Sequence, residues 1–324
     1  MSIYDKYYVY HLEQDITSYT DDRIFIKTGE ENNLLELARK NPILKEKYKQ
    51  LLLNDYVLYF HKDGISRFIK RILSYEVLDE NKYISDNEIF YTLQEPFGRK
   101  INEKVEKKLL VIFSKMPGSN FYDSAKLPHR MLPSFFEGIE RNLVKNVYIM
   151  RIMDLNVSHG SHYVNTINFP DYEKRIQETL KNVIKNLTIS KKNVVFYGVS
   201  RGGAGALLHG SFMDIKTLAV DPIVNIGGEM YANDRRLLKG LRKDDLVPVI
   251  NENSEKLNQY KKIVICSENS RMYYNEIIRL KDKYFKLINV RDNKITTHPE
   301  VSQNTVPEQL MILNNLLTNF KYFQ

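Results

Sequence analysis

Residues 194–203 constrain the fold of this chain more than any other segment. Their sequence places an apolar run of β-branched and aromatic residues directly before a Gly-x-Ser-x-Gly-Gly turn, and small helix-compatible residues follow. This order is typical of a strand, a sharp turn and a helix, with Ser200 raised above the end of a sheet. We predict that Gly198 and Gly202 are required because a β-carbon at either position would collide with neighbouring backbone. The alternative is an ordinary glycine-rich β–α turn that cradles a phosphate.

The composition is that of a soluble globular protein. The 324 residues are 43% hydrophobic and 27% charged, which suits one large α/β domain or a main domain with a smaller appendage. The formal charge of +8 fits an anionic partner. Basic clusters at residues 104–108 and 191–192 are interpreted as solvated helix ends and loops rather than a nucleic-acid stripe. An anionic polysaccharide, a phosphorylated donor or a membrane surface would satisfy the same charge.

Cysteine usage and hydropathy predict a cytoplasmic location. Cys266 is the single cysteine, which excludes an internal disulfide and fits a reducing compartment. No charged start with an apolar h-region opens the chain, and no apolar run is long enough to cross a bilayer.

From about residue 105 onward, strand-like and helix-like patterns alternate, which predicts an α/β fold with a parallel sheet. Polar candidate residues follow the strands, at the edge where open α/β sheets place their sites. The predicted strands cover residues 108–114, 146–153, 194–199, 216–220, 261–266 and 284–290, and the predicted helices residues 171–187, 201–213 and 307–320.

The first part of the chain is less regular. We interpret residues 1–104 as a smaller N-terminal α+β appendage and residues 105–324 as the main domain, with a lid insertion at 227–260 where the sequence is charged and lacks a clear strand. Within the appendage, the pattern predicts helices at residues 33–53 and 65–73 and strands at residues 7–11 and 55–61.

A serine nucleophile needs a base within hydrogen-bond reach and an anion that orients this base. His298 lies in the loop after the last predicted strand, where the chain order serine, acid, histidine requires the base. His209 lies on the helix that follows Ser200 and is expected to turn away from it. Ser200 and His298 are therefore predicted to be the catalytic pair.

Three carboxylates compete for the role of the acid. Glu268 follows the penultimate strand, which is the usual position, and is the preferred assignment. Asp221 follows the preceding strand, a known alternative, although an Asp-Pro pair also caps turns. Asp292 is close in sequence to His298, and only a tight loop would bring the two together.

An oxyanion intermediate needs hydrogen-bond donors. The backbone N–H of Arg201, next to the nucleophile and at a helix N-terminus, is the predicted first donor. The second is expected from the loop after the strand at residues 108–114, where Ser114 and Lys115 are the candidates.

A polar aromatic loop after another strand suits a sugar. Asp154, His162 and Tyr163 are predicted to bind substrate there by stacking and hydrogen bonding. The spacing of His159 and His162 lacks a matching third ligand, so no metal site is predicted.

With these residues placed, the chain resembles the capsular polysaccharide biosynthesis proteins of the XcbB/CpsF type, which are α/β-hydrolase-like. It is more distantly similar to the accessory Sec system proteins that are implicated in acetylating glycan on exported adhesins. The resemblance covers about residues 105–320 and implies an α/β-hydrolase-like fold, with a mainly parallel sheet and helices on both faces. The shared features are the strand ending at Ser114, Arg151-x-x-Asp154, Gly160-Ser161-His162-Tyr163, Gly198-Val199-Ser200-Arg201-Gly202-Gly203, and His298.

The residues and the resemblance together predict a serine-dependent O-acetyltransferase or esterase that acts on a capsular or cell-surface polysaccharide. The resemblance implies acetyl-CoA or another acyl donor as co-substrate, with no tightly bound cofactor. It also implies a glycan or glycoconjugate substrate, capsule-assembly proteins as partners, and membrane association through that machinery. The alternatives are a non-catalytic scaffold or chaperone of capsule assembly that retains the fold, and a peptidase- or lipase-like hydrolase.

Overall fold

A small sheet with two helices precedes the main sheet along the chain. The computed structural model describes residues 9–14, 20–227, 234 and 236–318. The small sheet has the spatial order first, second, fourth, third strand. Its elements are β1 (Val9–His11), β2 (Arg23–Lys27), α1 (Leu34–Ala38), α2 (Pro42–Leu53), β3 (Tyr56–Lys62) and β4 (Ile65–Lys70).

These elements confirm the helical prediction for residues 33–53 and the strand prediction for residues 55–61. Residues 7 and 8 of the first predicted strand lie outside the described residues. The helix predicted for residues 65–73 is wrong, because β4 pairs antiparallel with β3. Asp63 and Gly64 both have positive φ, 53° and 68°, and close a tight hairpin. An Asp-Gly pair between apolar runs is the hairpin signal that the helical interpretation overlooked.

The main sheet has eight strands among the described residues, in the order β5-β6-β8-β7-β9-β10-β11-β12. Only β6 runs against the others, so the predicted mainly parallel sheet is confirmed. The strands are β5 (Ile84–Asp86), β6 (Ile89–Gln94), β7 (Lys108–Phe113), β8 (Val147–Ile152), β9 (Val194–Val199), β10 (Lys216–Val220), β11 (Lys262–Cys266) and β12 (Phe285–Asn289).

Helices cover both faces of this sheet, as predicted. The first face carries α4 (Tyr172–Asn186), α5 (Arg201–Met213), α6 (Val247–Lys256) and α7 (Arg271–Ile277), and the second carries α8 (His298–Asn304) and α9 (Val306–Thr318). Alternate residues of β7 show why: Leu109 and Val111 pack toward α4, whereas Leu110 and Ile112 pack toward α9. Residues 319 and 320 of the last predicted helix lie outside the described residues. None of the described helices is long and apolar enough to span a membrane.

The small sheet packs on the part of the main domain that follows β10. Ile24 and Leu58 share one apolar cluster with Ile223, Leu238 and Leu241. In contrast, β5 and β6 lie before residue 104 yet belong to the main sheet. The division at residue 104 therefore stays a prediction. The lid at residues 227–260 also stays a prediction, since residues 228–233 and 235 lie outside the described part of the chain.

Arg130 connects the small sheet to the main domain. It lies on α3 (Leu127–Met131), and its side chain is fully buried. The guanidinium donates to the carbonyl of Leu58 in β3 at 2.7 Å and to that of Ser158, after β8, at 2.8 Å, and a third bond reaches the carbonyl of Ser124. Arginine suits this position because its planar fork can satisfy several acceptors at once.

We expect Arg130→Met to lower the free energy of unfolding by about 3 kcal/mol or more, because it leaves three buried carbonyls without their donor. Urea denaturation would measure the change. Arg141→Met, at an arginine whose side chain is 84% exposed, is the matched control and should change stability by about 0.5 kcal/mol or less. Equal effects of the two substitutions would contradict the connecting role of Arg130.

Candidate active site

Ser200 lies in the turn between β9 and α5, with φ 56° and ψ −118°. This backbone conformation is strained for a residue with a β-carbon and persists only where its surroundings hold it. Here the N–H of Ser200 donates to the carbonyl of Val220 at 2.9 Å, and its carbonyl accepts from Ala204 at 3.1 Å and Ile223 at 3.2 Å. The predicted strand, sharp turn and helix are confirmed.

The glycines on either side of Ser200 are required by close backbone contacts. A β-carbon at Gly198 would collide with the carbonyl of Gly202, and one at Gly202 would collide with the carbonyl of Phe113 at the end of β7. The turn can therefore approach β7 only because both positions lack a side chain.

His298 lies against the serine hydroxyl. Its Nε2 is 2.8 Å from Ser200 Oγ, and its Nδ1 is 2.7 Å from Asp221 Oδ2. His298 is the first residue of α8, where Thr297 and Glu300 form a capping box. The ring of Tyr273 stacks on the imidazole with 4.0 Å between centroids. Backbone, cap and stacking together orient the imidazole between the hydroxyl and the carboxylate.

Asp221 follows β10 and is fully buried, with a positive φ of 40°. Its Oδ2 accepts from Ser270 Oγ at 3.0 Å in addition to His298. No sequence motif marks Ser270 or Tyr273 beyond their position after β11, so neither residue was predicted.

Glu268 does not contact His298, so its preferred assignment as the orienting acid is wrong. It is exposed at the end of β11, where its carboxylate accepts from Asn289 Nδ2 at 2.7 Å and pairs with Arg291 at 3.1 Å. The side chain thus extends toward β12, the edge strand, and contacts its last residue, Asn289, and Arg291 after it. Asp221, the weaker alternative, is the carboxylate that meets the histidine.

Two backbone N–H groups remain as candidate oxyanion donors. That of Arg201 is at the start of α5, where helical N–H groups lack intrahelical acceptors. The N–H of Ser114 donates to Tyr163 Oη at 2.5 Å, so Ser114 is wrong as a donor. The N–H of Lys115 has no acceptor among the described residues and is the remaining candidate of that pair.

The side chain of Arg201 holds the surrounding loops. It is fully buried and donates to the carbonyls of Ser114 at 3.1 Å and Lys115 at 2.8 Å. Further bonds reach the carbonyls of Arg130 and Met131, both at 3.2 Å, and of His159. The residue whose N–H is one candidate oxyanion donor therefore also positions the backbone of the other candidate, Lys115.

The predicted substrate loop is interior structure, which corrects the assignment of Asp154, His162 and Tyr163. All three side chains are fully buried. The carboxylate of Asp154 accepts from the backbone N–H groups of Ser161 at 3.1 Å and His162 at 2.8 Å. Burial raises the pKa of Asp154, while nearby Arg201 opposes the shift.

The other two members of the loop are equally inaccessible to a substrate. Tyr163 Oη donates to the carbonyl of Ile152 at 2.9 Å. Burial holds the pKa of His162 well below its usual range, with Arg242 acting in the same direction. His209, which was predicted to turn away from Ser200, directs its Nε2 to this loop, 3.0 Å from the carbonyl of Tyr163. Among the described residues, no group of three or more His, Cys, Asp or Glu side chains could hold a metal ion.

Residues 133–294, half of the chain, match the family described as the accessory Sec system GspB-transporter. No curated protein sequence matches the chain significantly.

Similar solved structures include the capsule O-acetyltransferase of Neisseria meningitidis serogroup A, with 12% identity, 71% of this chain and 93% of that chain covered, and a TM-score of 0.48. The fluorophosphonate-binding serine hydrolase FphF of Staphylococcus aureus has 14% identity, coverages of 70% and 92%, and a TM-score of 0.47. The glycosylation-associated Gap123 complex of Streptococcus agalactiae has 15% identity, coverages of 74% and 47%, and a TM-score of 0.48.

We expect Asp221→Asn to slow covalent labelling of Ser200 by a fluorophosphonate probe about 10³-fold or more, because an amide neither fixes the imidazole tautomer nor stabilises the imidazolium. The labelling rate of purified protein is the measurement. Glu268→Gln is the matched control, and its rate should stay within about twofold of wild type, as for a surface change away from the site. A large loss in Glu268→Gln with little loss in Asp221→Asn would reverse the assignment.

Proposed function

The chain belongs to the accessory Sec system GspB-transporter family, and from the geometry of Ser200, His298 and Asp221 we propose that it is a serine-dependent acyl-transfer enzyme of the α/β-hydrolase type. The observation that supports this most directly is the position of one imidazole within hydrogen-bond distance of both the serine hydroxyl and a buried carboxylate. A strained serine at the end of a parallel strand, with candidate oxyanion donors beside it, supports the same reaction class.

In the first half-reaction, His298 Nε2 takes the proton of Ser200 Oγ as this oxygen attacks the acyl carbonyl carbon. Asp221 stabilises the imidazolium that forms. The N–H groups of Arg201 and Lys115 donate to the negative oxygen of the tetrahedral intermediate. The intermediate then expels the leaving group, which takes the proton from His298, and the acyl group remains as an ester of Ser200.

In the second half-reaction, His298 removes a proton from an acceptor hydroxyl as its oxygen attacks the acyl-serine. Collapse of the new intermediate returns the proton to Ser200 and releases the acylated acceptor. Water competes with a sugar hydroxyl at this step. Ser200 is 9% exposed and the His298 side chain 16%, so transfer requires that the bound acceptor itself keeps water from the acyl-serine.

The proposed substrate is a capsular or cell-surface glycan, which makes the enzyme an O-acetyltransferase or a glycan esterase. Acetyl-CoA or another activated acyl donor would supply the acyl group, with no tightly bound cofactor. The finer resemblance to XcbB/CpsF-type capsule biosynthesis proteins supports the choice of glycan. On this proposal the protein acts in the cytoplasm, with capsule-assembly proteins and the membrane-bound machinery as partners.

We expect Ser200→Ala to abolish fluorophosphonate labelling and to lower hydrolysis of p-nitrophenyl acetate about 10³-fold or more, because the nucleophile is lost. Gel-based labelling and a chromogenic assay measure the two effects. Ser302→Ala, at a half-buried serine of α8 that contacts neither His298 nor Asp221 through its hydroxyl, is the control and should retain both activities. A folded wild-type protein that takes no label would instead support a non-catalytic scaffold.

The acceptor is tested separately in the producing cell. If the enzyme acetylates a glycan, NMR spectra of the surface polysaccharide from a Ser200→Ala strain should lack O-acetyl signals that wild type shows. Gain of O-acetyl in the mutant would identify an esterase, and unchanged spectra would contradict a glycan substrate.

A further inference from the structure

A cleft lies beside the serine turn, and we call it the Lys115 cleft. Its volume is about 580 Å³, and its walls include Lys82, Ser114, Lys115, Phe121, Phe135 and Arg151. Its wall at Ser114 and Lys115 adjoins the serine turn. Those residues directly follow Phe113, whose carbonyl packs against Gly202 in the serine turn.

Lys115 joins this cleft to the chemistry. Its backbone N–H is a candidate oxyanion donor, and its carbonyl is held by Arg201 at 2.8 Å. Its side chain extends into the cleft, where the ammonium lies 5.2 Å from the centroid of the Phe135 ring. The candidate oxyanion donor and the ammonium that faces the cleft therefore belong to the same residue.

The ammonium of Lys115 has no counter-ion in the part of the chain that the structure describes. No carboxylate of the described residues lies within ion-pair distance of it. Burial alone lowers its pKa. Lys262, the most deeply buried lysine, differs in that Asp214 lies 2.9 Å from its ammonium. An anionic ligand would supply the charge partner that this half-buried ammonium lacks among the described residues.

The other charges of the cleft act in the same direction. Lys82 and Arg151 also line it, against Glu137 as the one carboxylate of the lining among the described residues. Arg151 donates to the carbonyls of Phe135 at 2.6 Å and Phe136 at 3.1 Å, so its charge is held in place without an acidic ion-pair partner in the described part of the chain. The cleft is therefore electropositive.

Aromatic rings form the second feature of the cleft. Phe121 is 49% exposed, although large apolar side chains usually bury more of their surface. The ring of His129 lies 4.5 Å from that of Phe121, and Phe135 lies under the Lys115 ammonium. Flat aromatic faces beside cations suit a ligand that carries both a ring and a negative group.

We propose that the Lys115 cleft binds a substrate that carries a phosphate or carboxylate on a ring system, with the anionic group at Lys115 and the ring against Phe121 and Phe135. This proposal rests on the proposed function, because the ligand is a substrate only if the protein catalyses acyl transfer. Two sources share this chemistry: an acidic or phosphorylated sugar acceptor, and the nucleotide part of an acyl donor.

The test measures binding by isothermal titration and by saturation-transfer NMR in Ser200→Ala protein, which cannot turn over. The probes are N-acetylglucosamine 1-phosphate, glucuronate, neutral N-acetylglucosamine and CoA. We expect at least one anionic probe to bind about tenfold or more tightly than the neutral sugar, and Lys115→Met to remove this preference. Lys174→Met, at a 75% exposed lysine of α4, is the charge-matched control and should retain it.

The pattern of losses identifies the source of the anion. If Lys115→Met loses binding of the sugar phosphate or of glucuronate, the ligand is an acidic acceptor. If it loses binding of CoA, the ligand is the acyl donor. Lys115→Arg, which keeps the charge, should restore binding and shows that the effect does not come from misfolding. Anionic and neutral probes that bind equally, or anion binding that Lys115→Met leaves intact, would overturn the proposal.

Failure of this proposal and failure of the proposed function are distinguishable. Fluorophosphonate labelling of Ser200 reports the nucleophile without using the cleft. If wild-type protein takes the label but the Ser200→Ala protein shows no anion preference, only the cleft assignment fails. If folded wild-type protein takes no label, the enzymatic proposal fails.

Discussion

The buried guanidinium of Arg201 connects the parts of the site that come from different regions of the chain. It follows the serine directly, and its donors reach carbonyls after β7, at the end of α3 and after β8. Without it, four of these five carbonyls would lose their donor, whereas that of Met131 still accepts from the N–H of Asp154 at 3.2 Å, so the cost of its loss is large. The carboxylate of Asp154, 3.7 Å away, compensates part of the charge and also holds its own loop by backbone N–H groups. The buried charges of Arg201 and Asp154 thus position the backbone at Ser114 and Lys115, which includes one candidate oxyanion donor.

Two of the strand ends that carry candidate catalytic residues have a strained backbone. Ser200 and Asp221 both have positive φ, although neither is glycine. The adjacent parallel strands hold both positions, since the N–H of Ser200 donates to Val220 of β10 and that of Asp221 donates to Ile265 of β11. Such strain persists where the surrounding structure determines the conformation, and here it directs both side chains toward His298.

Local patterns predicted most of the main domain. The strands β7, β9 and β11 carry continuous apolar runs because both faces of the sheet are covered there, and the helix α4 shows its apolar stripe at helical spacing. The strands that were missed are β2 and the short hairpin of β5 and β6. β5 and β6 were not predicted, since their Asn87-Glu88 turn is a weak signal despite positive φ at both residues. β4 was predicted as helix although an Asp-Gly pair precedes it.

The sequence by itself determined the candidate nucleophile and its candidate base. The glycines around Ser200 are a local steric requirement, and His298 was the one histidine after the final strand. Only the tertiary structure decided the acid and the nature of the Asp154 loop. Asp221 and Glu268 both follow strands at the same edge of the sheet, and nothing local distinguishes them. The direction of each side chain depends on the backbone angle at the strand end and on partners far along the chain, such as Ser270 for Asp221 and Arg291 for Glu268. Burial of Asp154, His162 and Tyr163 likewise results from packing between distant segments, which no local pattern records.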